Sequence, residues 1–390
     1  MFLGSHPEID IETNEFDGRL RKVQNEITSL SLDAIVVTLP ANYHYLTGFQ
    51  TGSSASTIFL IVPATGTPLW VMRGAELSNI EYYRKTTAVI GSLPIQDTDL
   101  PVDILSDGLR KMGLGSGRIG LEYNSLYFFV SQYLALKSAL PQADFVSSQS
   151  VVEKVRRVKS PAEIACMKKA GENTARTFRA CLSALHEGVT DSELAAVILS
   201  ESVRNGGGRI GGLPYIAVGQ DTTRAHVNWY GRRVLRGEIL NVEFACSYQR
   251  YHVPAFRGMC LGLPDSETQA LHRASIVGLE AGMRYIKPGM TSHDADKVVR
   301  DAIGGTGFGD KFKVRAAYGI GLAFPPSWGE GEVANLRGGD NMIVLPGMTF
   351  HLVPALIGDC STACCSMPIL ITDAGVEGLM PLAPDILIAS

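Results

Sequence analysis

The chain has 390 residues, 45% of them hydrophobic and 19% charged, which is enough apolar material for a sizeable core in roughly two or three domains. Its formal net charge is −4 and it contains no long run of Lys or Arg, which argues against nucleic acid as a partner, because phosphate binding needs a concentrated basic patch. Seven cysteines without a CxxC pair point to buried or free thiols in a reducing, cytoplasmic setting, not to a disulfide framework or a zinc site.

The first residues carry Glu8, Asp10, Glu12, Glu15 and Asp17 and no apolar stretch, so they do not read as a signal peptide. Residues 16–30 are expected to form an amphipathic helix. Asp33–Thr38, Thr57–Val62 and Pro68–Arg73 are short β-branched or apolar runs that predict buried strands, and Ile104–Met112 predicts a helix. Strands alternating with helices give an α/β layer domain over residues 1–155. Its loop or core includes His44. The basic stretch around Arg156, Arg157 and Lys159 marks the boundary. There Ser160-Pro161-Ala162-Glu163 has the form of a capping box with proline in the first turn, so a long helix should run to about Leu185.

Residues 156–390 contain a faint internal echo. Gly188-Val189-Thr190-Asp191 is answered by Gly289-Met290-Thr291-Ser292, each after a helix and each opening another through a threonine cap. A duplicated α+β unit with a central cleft is expected. The run Gly206–Gly212 lacks the spacing of a nucleotide-binding loop and predicts a flexible loop beside that cleft. Met342–Gly358 is the most apolar stretch, but it is short and holds His351 and two prolines. No membrane span is expected.

Unusual polar residues concentrate at the edges of apolar runs. Glu243 interrupts Ile239–Ala245, where a buried carboxylate is costly unless paired. It is either functional or an edge or salt-bridge residue. His351 interrupts another apolar run, and His226 and His252 lie in more polar segments. Taken singly, each histidine is better explained by a satisfied structural role.

Taken together these segments resemble the creatinase/prolidase/methionine-aminopeptidase superfamily along nearly the whole chain. Tyr45-Leu46-Thr47-Gly48-Phe49 is similar to its first-domain signature, and Arg157–Ile164 to the junction into its pita-bread domain. Gly237–Arg257 is similar to the strand pair that carries its first metal ligands. His226 precedes Glu243 by seventeen residues, as the family's cleft histidine precedes its first ligand. The resemblance implies an N-terminal creatinase-like α/β domain followed by a C-terminal pita-bread catalytic domain of duplicated α+β type. It also implies a homodimer in which the first domain of one subunit covers the other's cleft. Arg73 and Glu76 are candidates for that contact.

Peptidases of the superfamily hold two divalent metals with two aspartates, a histidine and two glutamates. Those positions fall here on Glu243, Pro254, Tyr318, His351 and, at or near it, Met367. Proline and methionine offer no hard oxygen ligand, so neither a metal site nor any other cofactor is expected. The segments Glu243…Arg250-Tyr251-His252-Val253-Pro254, Tyr318–Gly321 with Pro325–Glu330, and Gly347–His351 are similar to those of metal-independent ectoine hydrolase. Creatinase is more distant, since its catalytic glutamates fall on Phe256 and His351.

The resemblance therefore implies metal-independent hydrolysis of a C–N bond in a small nitrogen compound: an ectoine-like cyclic amidine, a guanidino compound or a cyclic amide. Glu243 would be nucleophile or base, and His226, His252 and His351 proton shuttles. Tyr318, Trp328, Glu330 and Arg257 would bind substrate. Glu330 and Arg257 have structural salt bridges as the alternative. Three other functions stand beside this one: a metal-dependent Xaa-Pro aminopeptidase or dipeptidase, a non-catalytic small-ligand-binding protein, and a lyase of a small zwitterion.

Overall fold

The computed structural model describes residues 11–53, 57–83, 86, 88, 90–148, 150–204 and 207–390. The acidic start at Glu8 and Asp10, and Gly206 of the glycine-rich run, lie outside the described residues. The described chain divides into two compact units, with the division after Arg156.

The first unit opens with the helix Thr13–Ser29, which buries Phe16, Leu20, Val23 and Ile27 along one stripe at helical spacing. A six-stranded mixed sheet follows. Its order is Gly91–Ile95, Leu69–Arg73, Ile58–Pro63, Ala34–Val37, Arg118–Leu121 and Asp144–Ser147. Ala34–Val37 and Ile58–Pro63 are buried at every position, as expected for strands covered on both faces. His44 is a core residue, with Nδ1 3.1 Å from the Phe49 carbonyl. Arg73 pairs with Asp97 at 2.6 Å, and Glu76 accepts from Thr51 at 3.1 Å and Asn79 at 2.9 Å, so both are engaged within this unit.

The second unit starts with the helix Pro161–Ser183, and its capping box forms as the sequence predicts. Ser160 Oγ accepts the Glu163 N–H at 3.2 Å, and Glu163 Oε2 accepts the Ser160 N–H at 3.0 Å. Two antiparallel-rich sheets carry the rest. One runs Leu387–Ala389, Tyr251–Leu261, Ile239–Tyr248 and Tyr215–Val218, and the other runs Asn335–Leu336, Ala317–Gly319, Thr349–Leu352, Met367–Thr372 and Gly375–Gly378.

The internal echo is a structural repeat. Gly188 N–H donates to the Val234 carbonyl and Val234 N–H to the Val189 carbonyl, each at 2.8 Å. Gly289 and Val344, with Met290, repeat this at 2.8 and 2.9 Å. Both glycines have positive φ, 82° and 90°, the region that favours glycine. Thr190 and Thr291 then cap the following helices, accepting from Glu193 and Asp294 at 3.1 Å each. Each half supplies one helix pair and one sheet, and the catalytic candidates come from both sheets. Among the described residues no helix is long and apolar enough to cross a membrane. All seven cysteines are free thiols, and only Cys360 is exposed.

Candidate active site

Glu243 lies mid-strand in Ile239–Tyr248. Leu240, Val242, Phe244 and Cys246 enter the hydrophobic core, and by the two-residue period of a strand Asn241 and Glu243 share the other face. Its cross-strand neighbours are Tyr215 on one side and Phe256 on the other. The side chain keeps 16% of its surface. Burial pushes its carboxyl up from 4.5 to about 7, and the hydrogen bond from Tyr318 opposes that rise.

The second sheet brings the partners. Tyr318 pairs with His351 across neighbouring strands, and His351 with Pro368 beyond. The Tyr318 hydroxyl is 3.4 Å from Glu243 Oε1 and 2.8 Å from His351 Nδ1, and accepts the Trp328 indole N–H at 3.0 Å. His351 Nδ1 is 3.8 Å from Glu243 Oε1, and Nε2 is 2.6 Å from Ser366 Oγ. The ring is fully buried. Burial, and then the nearby Arg257 charge, push it down to about 3, so it is neutral at physiological pH. Tyr318 is raised well above its ordinary 10, first by burial and then by Glu243, so it remains a phenol.

Two cavities share Tyr215, His226 and Glu243 as walls. One of about 150 Å³ also includes Asn241 and Phe256, and the other, of about 410 Å³, includes Tyr318, Trp328 and Arg315. His226 is exposed, at φ +53°, in the left-handed region where histidine, asparagine and aspartate are the commoner non-glycine residues. Its ring lies 5.0 Å from that of Tyr215, and Tyr215 meets Trp328 edge-on at 5.4 Å. The structure thus gathers Glu243, His226, His351, Tyr318 and Trp328.

Three expected site residues are elsewhere. His252 pairs with Ser247, four positions along from the strand pair of Glu243, or about 13 Å at strand rise. It is fully buried, bonds the Arg250 carbonyl at 2.7 Å, and is pushed down to about 4 by burial, so it reaches neither cavity nor Glu243. Glu330 is buried against Lys159 at 2.9 Å, with side chains 2% and 3% exposed, which is the structural salt bridge. Arg257 is fully buried and donates to the backbone carbonyls of Phe256, at 2.9 Å, and Ser366. It lines neither cavity. Neither Glu330 nor Arg257 is placed to bind a substrate's charged end.

Four residues at the site were not singled out from sequence. Asn241 and Tyr215 follow from strand alternation and pairing with Glu243. Arg315 lies 5.1 Å over the Tyr318 ring at the cavity wall. Ser366 is the fourth. Met367 pairs with Leu352, while Pro368 pairs with His351, so Met367 points to the opposite face and its sulfur packs at Gly378. The residue that meets His351 where the second family glutamate was expected is therefore Ser366, not Met367.

These donors do not fit a pair of hard dications. Pro254 has no donor, Ser366 and Tyr318 are un-ionised, and both His351 nitrogens are already engaged. Among the described residues no group of three His, Cys, Asp or Glu side chains could hold a metal ion.

Residues 165–373 match the model of metallopeptidase family M24, and residues 19–158 match the creatinase/prolidase N-terminal domain. The chain is 31% identical over 387 residues to an ectoine hydrolase from Halomonas elongata, covering 94% of this chain and 95% of that one. An uncharacterised hydrolase/peptidase of Sinorhizobium fredii is 27% identical over 88% of this chain and 89% of its own. Among solved structures, a prolidase from Thermococcus sibiricus superposes with a TM-score of 0.86 at 18% identity, covering 96% of this chain and 99% of that one. An Xaa-Pro dipeptidase from Bacillus anthracis superposes at 0.83 and 20% identity, covering 96% and 100%. These two show the pita-bread fold behind a creatinase-type first domain. The chain belongs to metallopeptidase family M24, with a creatinase/prolidase N-terminal domain ahead of the M24 domain.

Proposed function

We propose that this protein is a metal-independent hydrolase that opens a C–N bond of a small nitrogen compound, with Glu243 as general base or nucleophile. Ectoine-like cyclic amidines, guanidino compounds and cyclic amides form the substrate class. The observation that carries the reading is a single largely buried carboxylate at about 7, on the shared wall of two aromatic-lined cavities, with a phenol hydroxyl 3.4 Å away. A base poised near neutral pH suits proton transfer, which is worth roughly 10²–10⁴-fold. The similarity to an ectoine hydrolase supports the substrate class.

As general base, Glu243 takes a proton from water while the water oxygen bonds to the electrophilic carbon. The C–N electron pair then leaves on nitrogen, which takes the proton back. Tyr318 steadies the carboxylate, and the faces of Tyr215 and Trp328 favour a delocalised cation. His226, exposed on both cavities, is the histidine placed to pass protons to solvent. His351 is a neutral positioning group, since its nitrogens are engaged and its charge is suppressed.

Purified protein stripped by exhaustive chelation should still turn over a cyclic amidine or guanidino acid, and Glu243→Gln should not. Activity lost on chelation and restored by manganese or cobalt would return the chain to metal-dependent peptidase chemistry. Stoichiometric capture of ligand without product would make it a binding protein.

A further inference from the structure

The hydrogen bonds around His351 are best satisfied in one direction, which can be deduced from the Phe256 end. The Phe256 carbonyl already accepts the Ser366 N–H at 3.1 Å and an Arg257 guanidinium N–H at 2.9 Å. Two donors fill a carbonyl's two lone pairs. The Ser366 hydroxyl, 3.3 Å from the same oxygen, would be a third and poorer donor. Its better outlet is His351 Nε2 at 2.6 Å, and Ser366 Oγ itself accepts the Phe256 N–H at 2.7 Å.

The rest follows along the chain. If Nε2 accepts, a neutral His351 must carry its proton on Nδ1. That N–H then donates to the Tyr318 oxygen at 2.8 Å. Tyr318 also receives the Trp328 indole N–H at 3.0 Å, and indole is only ever a donor. With both lone pairs occupied, the phenol hydrogen has one acceptor in reach, Glu243 Oε1 at 3.4 Å. The donors of Ser366, His351, Trp328 and Tyr318 are all used, and the hydroxyl at the end of the chain points at the carboxylate.

We infer that Ser366 is a positioning residue: its hydroxyl fixes His351 as the Nδ1–H tautomer and so aims the Tyr318 O–H at Glu243. This rests on the reading of Glu243 as the reactive carboxylate only for its effect on rate, not for the tautomer itself. Remove the Ser366 hydroxyl and His351 is free to move its proton to Nε2. Nδ1 then becomes an acceptor, the closer one at 2.8 Å, and the Tyr318 hydrogen turns from Glu243 towards it. The carboxylate loses the Tyr318 hydroxyl as a donor and becomes harder to ionise.

Nitrogen-15 NMR of histidine-labelled full-length protein, with His351 assigned through His351→Gln, tests this without any substrate. The bare and protonated nitrogens of a neutral ring resonate far apart. The parent protein should show a protonated Nδ1 and bare Nε2, Ser366→Thr should keep that pattern, and Ser366→Ala should reverse it. In the pH profile of kcat/KM, Ser366→Ala should move the acid limb up by about one unit, an approximately tenfold loss below it. A protonated Nε2 in the parent protein overturns the inference, and so does an unchanged tautomer in Ser366→Ala. If Ser366→Ala does not fold, the parent spectrum and Ser366→Thr decide alone. Tautomers as stated, with Glu243→Gln still fully active, would sink the hydrolase reading and leave this inference standing.

Discussion

Tyr318 and His351 face each other across two neighbouring strands, with 2.8 Å between the phenol oxygen and Nδ1. In metal-binding relatives these two positions would be ligands. Here they bind each other, and the pair presents a hydroxyl to Glu243 across the junction of the two sheets.

Tyr318→Phe should therefore lower kcat by about 10²-fold, the usual loss on removing one preorganised donor. It should also raise the acid limb of the rate profile, because the phenol hydrogen bond is what holds the Glu243 value down. Steady-state kinetics across pH 5 to 9 check both. A change confined to KM, with kcat and the limb unmoved, would show that Tyr318 only contacts substrate.

Glu243 should weaken the fold near neutral pH. Its folded value of about 7 lies above the ordinary 4.5. Between the two the native protein keeps the proton and the unfolded chain releases it. Stability from this group therefore falls as pH rises from 4.5 to 7, by about 3 kcal/mol in all, and stays low above that. Glu243→Gln should be more stable than the parent by about 2 kcal/mol at pH 8, with the gap closing towards pH 4.5. Urea titrations at both values measure it. Equal stabilities at pH 8 would mean that the carboxylate is better solvated than its burial indicates.

The Lys159–Glu330 pair separates structure from recognition. Both side chains are almost fully buried at 2.9 Å. Lys159→Met should cost about 3–5 kcal/mol, since it strands a buried carboxylate, and Lys159→Met with Glu330→Met should recover most of that. KM in the folded double variant should stay within about threefold of the parent's, a small change on the scale of a lost direct contact. A tenfold rise in KM would restore Glu330 to the substrate site.

Much of this was legible in the sequence because it is local. The capping box at Ser160 and Glu163, the two threonine caps and Glu243 in an apolar run all declare themselves within a few residues. His252, Glu330 and Arg257 misled for the opposite reason. Each sits in a segment that resembles the family's, but reaching Glu243 depends on strand rise and on partners far along the chain. His252 is four pairs too far, and Glu330 is taken by a lysine 171 positions away in sequence. Ser366 was hidden by parity. Only the pairing of Pro368 with His351 shows which of two adjacent residues looks inward.

That parity has a consequence for redesign of the site. Two-metal chemistry here would need acidic or imidazole ligands at Pro254, Tyr318 and Ser366 together, with His351 released from its present partners. Any one of them installed alone would place an unpartnered carboxylate or imidazole among groups that already satisfy each other. Each first step costs stability and gains no metal. The interlocked bonds thus hold the site as it is: no single substitution at these positions would install a two-metal centre.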